Sequence, residues 1–351
     1  MGNFDEMSLA VKELSGGKNI VLLDDMGLPS IYVAIPKGYN GNVIDGGSAS
    51  VVHPAFIVDG VEKSCFYYSK YQNIVFNNRA YSLSRRDPKV YVDQPTAKKY
   101  CTNKGKGFHL STIPEWAYIA LWSRKNGTMP HGNNNYGKDI SYTFEHGEEA
   151  AKDGSNTGRT LTGSGPVTWA HDHTNAGIMD LNGNVWEWQD GLRLKNGEIQ
   201  IIVNNNSALG DDCDTGANST LWKAIMPDGS LVDPGTTGTL KWDWLSNQIQ
   251  LISGNVSSTA DAGHGAEYKN MTLASGITAP EIAKILLLYP DEPGGDYGGD
   301  FHWFNPSGER LPLCGGNWTD GANAGVFRLN LDNPRSRSGA YIGFRSAFVD
   351  L

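Results

Sequence analysis

Charge is scarce in this chain of 351 residues: Lys, Arg, Asp and Glu make up 19%, the formal net charge is -9, and no Lys/Arg-rich run occurs. Nucleic-acid binding needs a basic patch that displaces counterions from phosphates, so DNA and RNA are excluded as main partners. Long apolar runs are missing too, and with them a membrane span. Met1 to Lys18 mixes acids, Gly and Ser where a secretory signal would set a basic head before an apolar stretch, so the chain is expected to be made without a signal peptide. The four cysteines, Cys65, Cys101, Cys213 and Cys314, stand far apart without a CxxC pair. That excludes a closed zinc site and asks for no disulfide framework at this size. Leu-rich periodic stretches are missing, which excludes a helical bundle or coiled coil. No nucleophile elbow, phosphate loop or HExxH occurs. What the chain has is 43 Gly, 10 Trp and 15 Tyr, a composition that suits a loop-rich fold of short strands with ample aromatic side chains for its core.

The runs NIVLLDD and IYVAIP between Lys18 and Pro36 read as two short strands around the turn MGLPS, and Val51 to Tyr71 continues in strand style. Asp93 is placed to cap a helix through Pro95, Ala97, Tyr100 and Cys101, with Gly105 soon after its end. A second helix starts at Ser111 or Thr112, with Pro114 in its first turn and Glu115 as the early acid, and sets Trp116, Ile119, Ala120 and Trp122 on one face. Gly127 to Gly165 is a polar loop, ordered where Trp and Tyr side chains pin it. From Asn196 to Gly308 the chain mixes strand-like runs at Ile199 to Val203 and Ile249 to Ser253 with a short helix from Ala279 to Leu288.

Three blocks carry the strongest pattern: GFHLSTIPEWAYIA (Gly107 to Ala120), GIMDLNGNVWEW (Gly177 to Trp188) and CGGNWTDGANAGVFRLNLDNPRSRSGAYIGFRSA (Cys314 to Ala347). In GNVWEW, Gly183 permits a tight bend, and Trp186 and Trp188, two apart on an extended chain, share a face and are expected in the core. Asn182, Asn184, Glu187 and Asp190 gather oxygens near a turn and raise the question of a calcium site, although calcium needs six to eight oxygens. His171 and His173 are a weak metal signal without a third ligand.

Together and in this order the three blocks resemble the formylglycine-generating-enzyme type of C-type lectin-like fold, an α+β architecture. The third block resembles the variable region of proteins diversified by retroelements, such as phage tropism determinants. The resemblance implies a small strand-rich attachment segment at residues 1–70 and a C-type lectin-like domain at 71–351, with 196–308 inserted and 314–347 variable. The family's oxidase chemistry runs through paired cysteines near positions held here by Asp320 and Gly325, and Cys314 lies upstream of both. Arg345 is expected as a structural ion-pair partner.

From Leu311 to Leu351 there is no Lys, Glu, Gln or Met. An Asn codon randomised at its adenines reaches fifteen amino acids and never those four or Trp. The residues matching diversified positions all belong to the reachable set: Thr319, Asp320, Ala322, Asn323, Arg328, Asn330, Asp332, Asn333, Arg337, Gly339, Ala340 and Tyr341. Phe327, Leu329 and Leu331 alternate with Arg328, Asn330 and Asp332, so an extended segment would bury the first row and present the second. The implied function is non-catalytic binding of a cell-surface protein or glycan, without nucleic acid or membrane insertion, in a virion tail or on a bacterial surface. The chain would act there as a homo-oligomer or within a virion assembly. No cofactor is called for except calcium. The alternatives are an oxidase of the formylglycine-generating type and a calcium-dependent sugar-binding lectin.

Overall fold

A computed structural model describes residues 4–351. Strands Asn19–Leu23 and Pro29–Pro36 pair antiparallel around the MGLPS turn, with Val21 opposite Ile31. They continue into a five-stranded sheet through Cys65–Ser69, the C-terminal strand Ser346–Phe348 and Phe108–Leu110. This corrects the boundary at residue 70. The C-terminal strand is hydrogen-bonded on both edges, on one side by Cys65–Ser69, so the strands Asn19–Leu23, Pro29–Pro36 and Cys65–Ser69 belong to the domain's own sheet. Val33, Ile35, Phe56 and Phe66 share one apolar core with Trp116, Leu192 and Phe327. A helix at Asp5–Leu14, not anticipated from the sequence, buries no residue although Met7, Ala10, Val11 and Leu14 recur at helical spacing.

Both expected helices form. Asp93 caps Gln94–Thr102, its Oδ1 accepting the Thr96 amide at 3.0 Å. Thr112 and Glu115 make a reciprocal capping box at the start of Ile113–Lys125, satisfying two amides that the helix cannot pair internally. The second helix is buried on nearly every side, from Ile113 to Leu121. Its Glu115 carboxylate is fully buried and is held by His109 at 2.9 Å and by the Asn205 amide at 3.1 Å.

The larger sheet has thirteen strands. Trp186–Trp188 joins it to the C-terminal block, antiparallel to Glu309–Gly315 and parallel to Ile342–Phe344. Trp186 and Trp188 pack in one cluster with Leu311, Leu313 and Phe344, as their spacing of two requires. The 196–308 segment extends this sheet with Glu198–Ile202, Trp222–Ile225, Lys241–Leu245 and Gln248–Ile252, and its expected helix is the short Glu281–Ile285. Its Trp242, Ile249 and Leu251 enter the same core as the flanking blocks.

One core feature titrates. Lys104 is fully buried beside the Phe108 ring, 4.3 Å from its centroid, and donates to Ser30 Oγ and the Tyr32 hydroxyl. Burial pulls its ammonium down to about 7, against weaker opposing fields from Cys101 and Asp24. The unfolded chain therefore binds the extra proton between pH 7 and the ordinary lysine range, so this group makes stability rise with pH there and fall as pH drops toward 7. Chemical denaturation of the wild type and Lys104→Met at pH 7 and pH 8.5 is expected to show the wild type gaining stability relative to the variant at the higher pH. Equal slopes would mean that the ammonium reaches water.

Candidate functional site

The C-terminal block is a scaffold with loops between its strands. After Glu309–Gly315 the chain turns at Asn317, whose Oδ1 accepts both the amide and the hydroxyl of Thr319, while its own amide donates to Asp320 Oδ2 at 2.8 Å. A 3-10 turn at Gly321–Asn323 follows, then the long strand Gly325–Asn333, a turn over Pro334 to Gly339, and Ile342–Phe344. Thr319, Ala322, Ser336, Arg337 and Ser338 are exposed; Asp320, Asn323, Gly339, Ala340 and Tyr341 are half-buried. The side chain of Tyr341 joins the two loops by packing on the small cluster of Val90, Val185 and Trp318, and the Arg337 guanidinium donates to its hydroxyl.

Along the strand, Phe327, Leu329 and Leu331 are buried as their alternation demands. The opposite row is not a free face, and Arg328 is the clearest correction: it is only 4% exposed. Its strand lies inside the sheet between Phe301–Phe304 and Glu309–Gly315. There Trp186 and Phe301 cover the guanidinium at 5.2 and 5.8 Å, Asp320 lies 3.5 Å away, and the Asn323 carbonyl accepts from it at 3.2 Å. Asn330, Asp332 and Asn333 are half-buried and largely tied to one another: Asn330 Oδ1 accepts from the Asp332 amide and from Asn333 Nδ2, and Asp332 Oδ1 accepts from Asn305. The surface that remains open lies on the two loops and not along the strand.

The sequence reading missed the neighbours of this surface. The polar loop after Gly127 is pinned against it: Trp318 Nε1 donates to Asp153 Oδ2, the Tyr136 amide donates to the Trp318 carbonyl, and the Gly321 amide donates to the Asn134 carbonyl. That loop leaves Tyr136, Ile140, Tyr142 and Phe144 exposed, Phe144 by 78%. Tyr91, 68% exposed, stands beside Gly339, whose carbonyl accepts its amide. The available signal was the recurrence of large side chains in a stretch otherwise polar and without period.

The calcium candidates do not gather into a cage. All four are buried and spent on different partners. Asn184 Oδ1 accepts from Asn133 and Thr160, Glu187 is held by Arg345 and Gln72, Asp190 pairs with Lys98 at 3.0 Å, and Asn182 bridges the Pro130 carbonyl and Asn134. Gly183 makes the expected bend at φ 74°, and a Cβ there would collide with the Asn133 carbonyl. His171 is buried against Trp122, with burial pushing its imidazole down to about 4, and His173 bonds the Met129 carbonyl. Among the described residues no group of three or more His, Cys, Asp or Glu is placed to hold a metal.

The thiol positions are equally informative. Cys314 is fully buried, and burial holds its thiol well above the ordinary range, so little thiolate forms. At Gly325 there is no room for a side chain: the Asp300 carboxylate lies over its Cα, and a Cβ would meet both carboxylate oxygens at 2.2 Å.

The first block places its strand in the five-stranded sheet, the second in the thirteen-stranded sheet, and the third contributes strands to both. The fold is C-type lectin-like, of the formylglycine-generating-enzyme type. Residues 44–215 match the Sulfatase-modifying factor enzyme 1-like domain. The inactive C-alpha-formylglycine-generating enzyme 2 of Mus musculus is 31% identical over 134 residues, which is 37% of this chain. The matched stretch spans only 40% of that relative's length. Among solved structures, PvdO from Pseudomonas aeruginosa aligns with 93% of this chain and 97% of its own, at 14% identity and a TM-score of 0.37. The Major Tropism Determinant P3c variant aligns with 94% of this chain and 71% of its own, at 12% identity and a TM-score of 0.32.

Proposed function

We propose that this formylglycine-generating-type domain is a non-catalytic binding protein whose C-terminal loops hold a protein or glycan of a bacterial surface. The observation that carries the reading is the division within one block. Trp318, Phe327, Leu329, Ile342, Phe344 and Arg345 are buried scaffold, while Thr319, Ala322, Ser336, Arg337 and Ser338 stand exposed on loops anchored by them. Substitution at the second set leaves the packing intact, which is what a diversified binding face requires. The exposed Tyr91, Tyr136, Tyr142 and Phe144 beside it add large, rigid contact area of the kind that binding loops use.

Retroelement diversification of this face, residence in a phage tail or on a bacterial surface, and assembly into a larger particle or homo-oligomer belong to the same proposal. The composition of the last block supports the first of them. Against an oxidase stand the filled space at Gly325 and the buried thiol of Cys314. The word "inactive" in the name of the mouse relative supports the same side. Binding of the fluorescently labelled chain to a panel of bacterial cells tests the reading. Saturable binding to a subset of strains, unaffected by EDTA, is the expected result; copper-dependent oxygen consumption with a thiol peptide and no cell binding would overturn it.

A further inference from the structure

Next to the proposed face lies a cavity of about 270 Å³ between the Met129 to Tyr142 loop and the start of the Gly325–Asn333 strand. Ala322 and Ile140 stand among its walls, Val326 supplies apolar surface, and Asp139, Asp296 and Asp300 supply carboxylates, with neither Lys nor Arg among the lining residues. Asp139 is occupied by backbone amides of Gly132, Ser141 and Tyr142. Asp300 is different. It is 2% exposed, its Oδ2 accepts the Phe327 amide at 2.8 Å, and its Oδ1 has no donor among the described residues.

Two glycines make room for this carboxylate. A Cβ on Gly325 would meet it at 2.2 Å, and one on Gly298 would approach it at 3.2 Å. The charged groups whose fields reach it are Arg328, which favours its ionised form, and Asp296, which opposes it; burial dominates and holds the acid well above the usual carboxylate range. A cation that pairs with the open oxygen would favour the ionised form of this acid against the penalty of its burial. The Arg328 guanidinium does not serve: among the described residues its ion pair is with Asp320, and its Nε is left without a partner.

We propose that this cavity receives the cationic end of a basic side chain, a lysine ammonium or an arginine guanidinium, with Asp300 Oδ1 as the paired acceptor on its floor. Ala322 belongs both to the cavity lining and to the proposed binding face, so the source of the cation is the bound partner, and to that extent the inference rests on the proposed function. The neighbouring cleft of about 840 Å³ shares Met129, His131, Tyr142 and Asp296 with the cavity, and its Arg124 and Lys125 are already neutralised by Asp291, Glu292 and Asp45. A cation approaching from that side therefore meets Asp296 without a competing free cation from these two residues.

The test uses the full chain with N-acetyl-lysine amide, N-acetyl-arginine amide, putrescine and the neutral N-acetyl-norleucine amide, followed by amide chemical shifts and titration calorimetry. The capped lysine or arginine is expected to shift the amides of Ala322, Gly325 and Phe327 and to bind at least tenfold tighter than norleucine, with Asp300→Asn removing that preference. Putrescine binding while neither capped residue does would overturn the side-chain source. A norleucine affinity equal to that of the cations, or an unchanged preference in Asp300→Asn, would overturn the site itself. If Asp300→Asn does not fold, Ala322→Trp, which fills space in the cavity wall, must abolish the shifts, and their persistence would overturn the proposal. Exchanging Thr319, Arg337 and Tyr341 should abolish cell binding and spare the capped-cation affinity, which separates failure of the cavity from failure of the face.

Discussion

Glu187→Ala is expected to cost about 3–5 kcal/mol, a large share of the roughly 5–15 kcal/mol that holds a typical folded chain. The reason lies in Arg345, which is fully buried and spends its guanidinium on five acceptors. Nε donates to Glu187 Oε2 at 2.7 Å, one terminal nitrogen donates to the Ser69 and Lys70 carbonyls, and the other to the Met179 and Asp180 carbonyls. The other Glu187 oxygen accepts from Gln72. Burial pushes the Glu187 carboxyl up and the Arg345 field pulls it back, so each charge depends on the other. Deleting the acid strands an uncompensated guanidinium in the core, whereas removing both charges in Glu187→Gln with Arg345→Met should recover much of the loss. Urea denaturation followed by tryptophan fluorescence measures both. A loss below about 1 kcal/mol for Glu187→Ala would mean that water reaches the pair.

The second large effect is on binding. Exchange of Thr319, Arg337 and Tyr341 together for Ala is expected to weaken binding to recognised cells by about 100-fold or more, because Tyr and Arg dominate the energetics of protein interfaces. The same variant should stay folded with a loss of about 1–2 kcal/mol, most of it from Tyr341, which packs on Val90, Val185 and Trp318, since Thr319 and Arg337 are exposed. Arg328→Ala behaves in the opposite way: it removes a buried guanidinium from under two rings and leaves Asp320 unpaired, so it is expected to lower stability. A triple variant that binds normally removes the face from the account. Equal thermal stability of Arg328→Ala and the wild type removes the distinction between strand and loops.

Much of the fold was legible because it is written in local chemistry. The Thr112 and Glu115 capping box, the Asp93 cap and the two-residue spacing of Trp186 and Trp188 each specify a structure within a few residues, and all three form. Arg345 was legible as an ion-pair member, though its partner, 158 positions away, could come only from the folded chain. Three features were not legible. Alternation around Phe327 cannot tell an edge strand from an internal one, and Arg328 went to the covered side of an internal strand. The N-terminal strands carry no mark of their distant partner, Ser346–Phe348. The oxygens of Asn182, Asn184, Glu187 and Asp190 are near in sequence, but alternating side-chain directions and competing partners pull them apart.

The most direct measurement is the DNA around the coding region of the last forty or so residues. The account predicts a near-copy of those codons beside a reverse-transcriptase gene, differing at adenines. The differences should be concentrated at codons such as those for Thr319, Ala322, Asn323, Arg337 and Tyr341, and absent at those for Trp318, Phe327 and Arg345. No such copy, or differences spread evenly over exposed and buried positions, would contradict it.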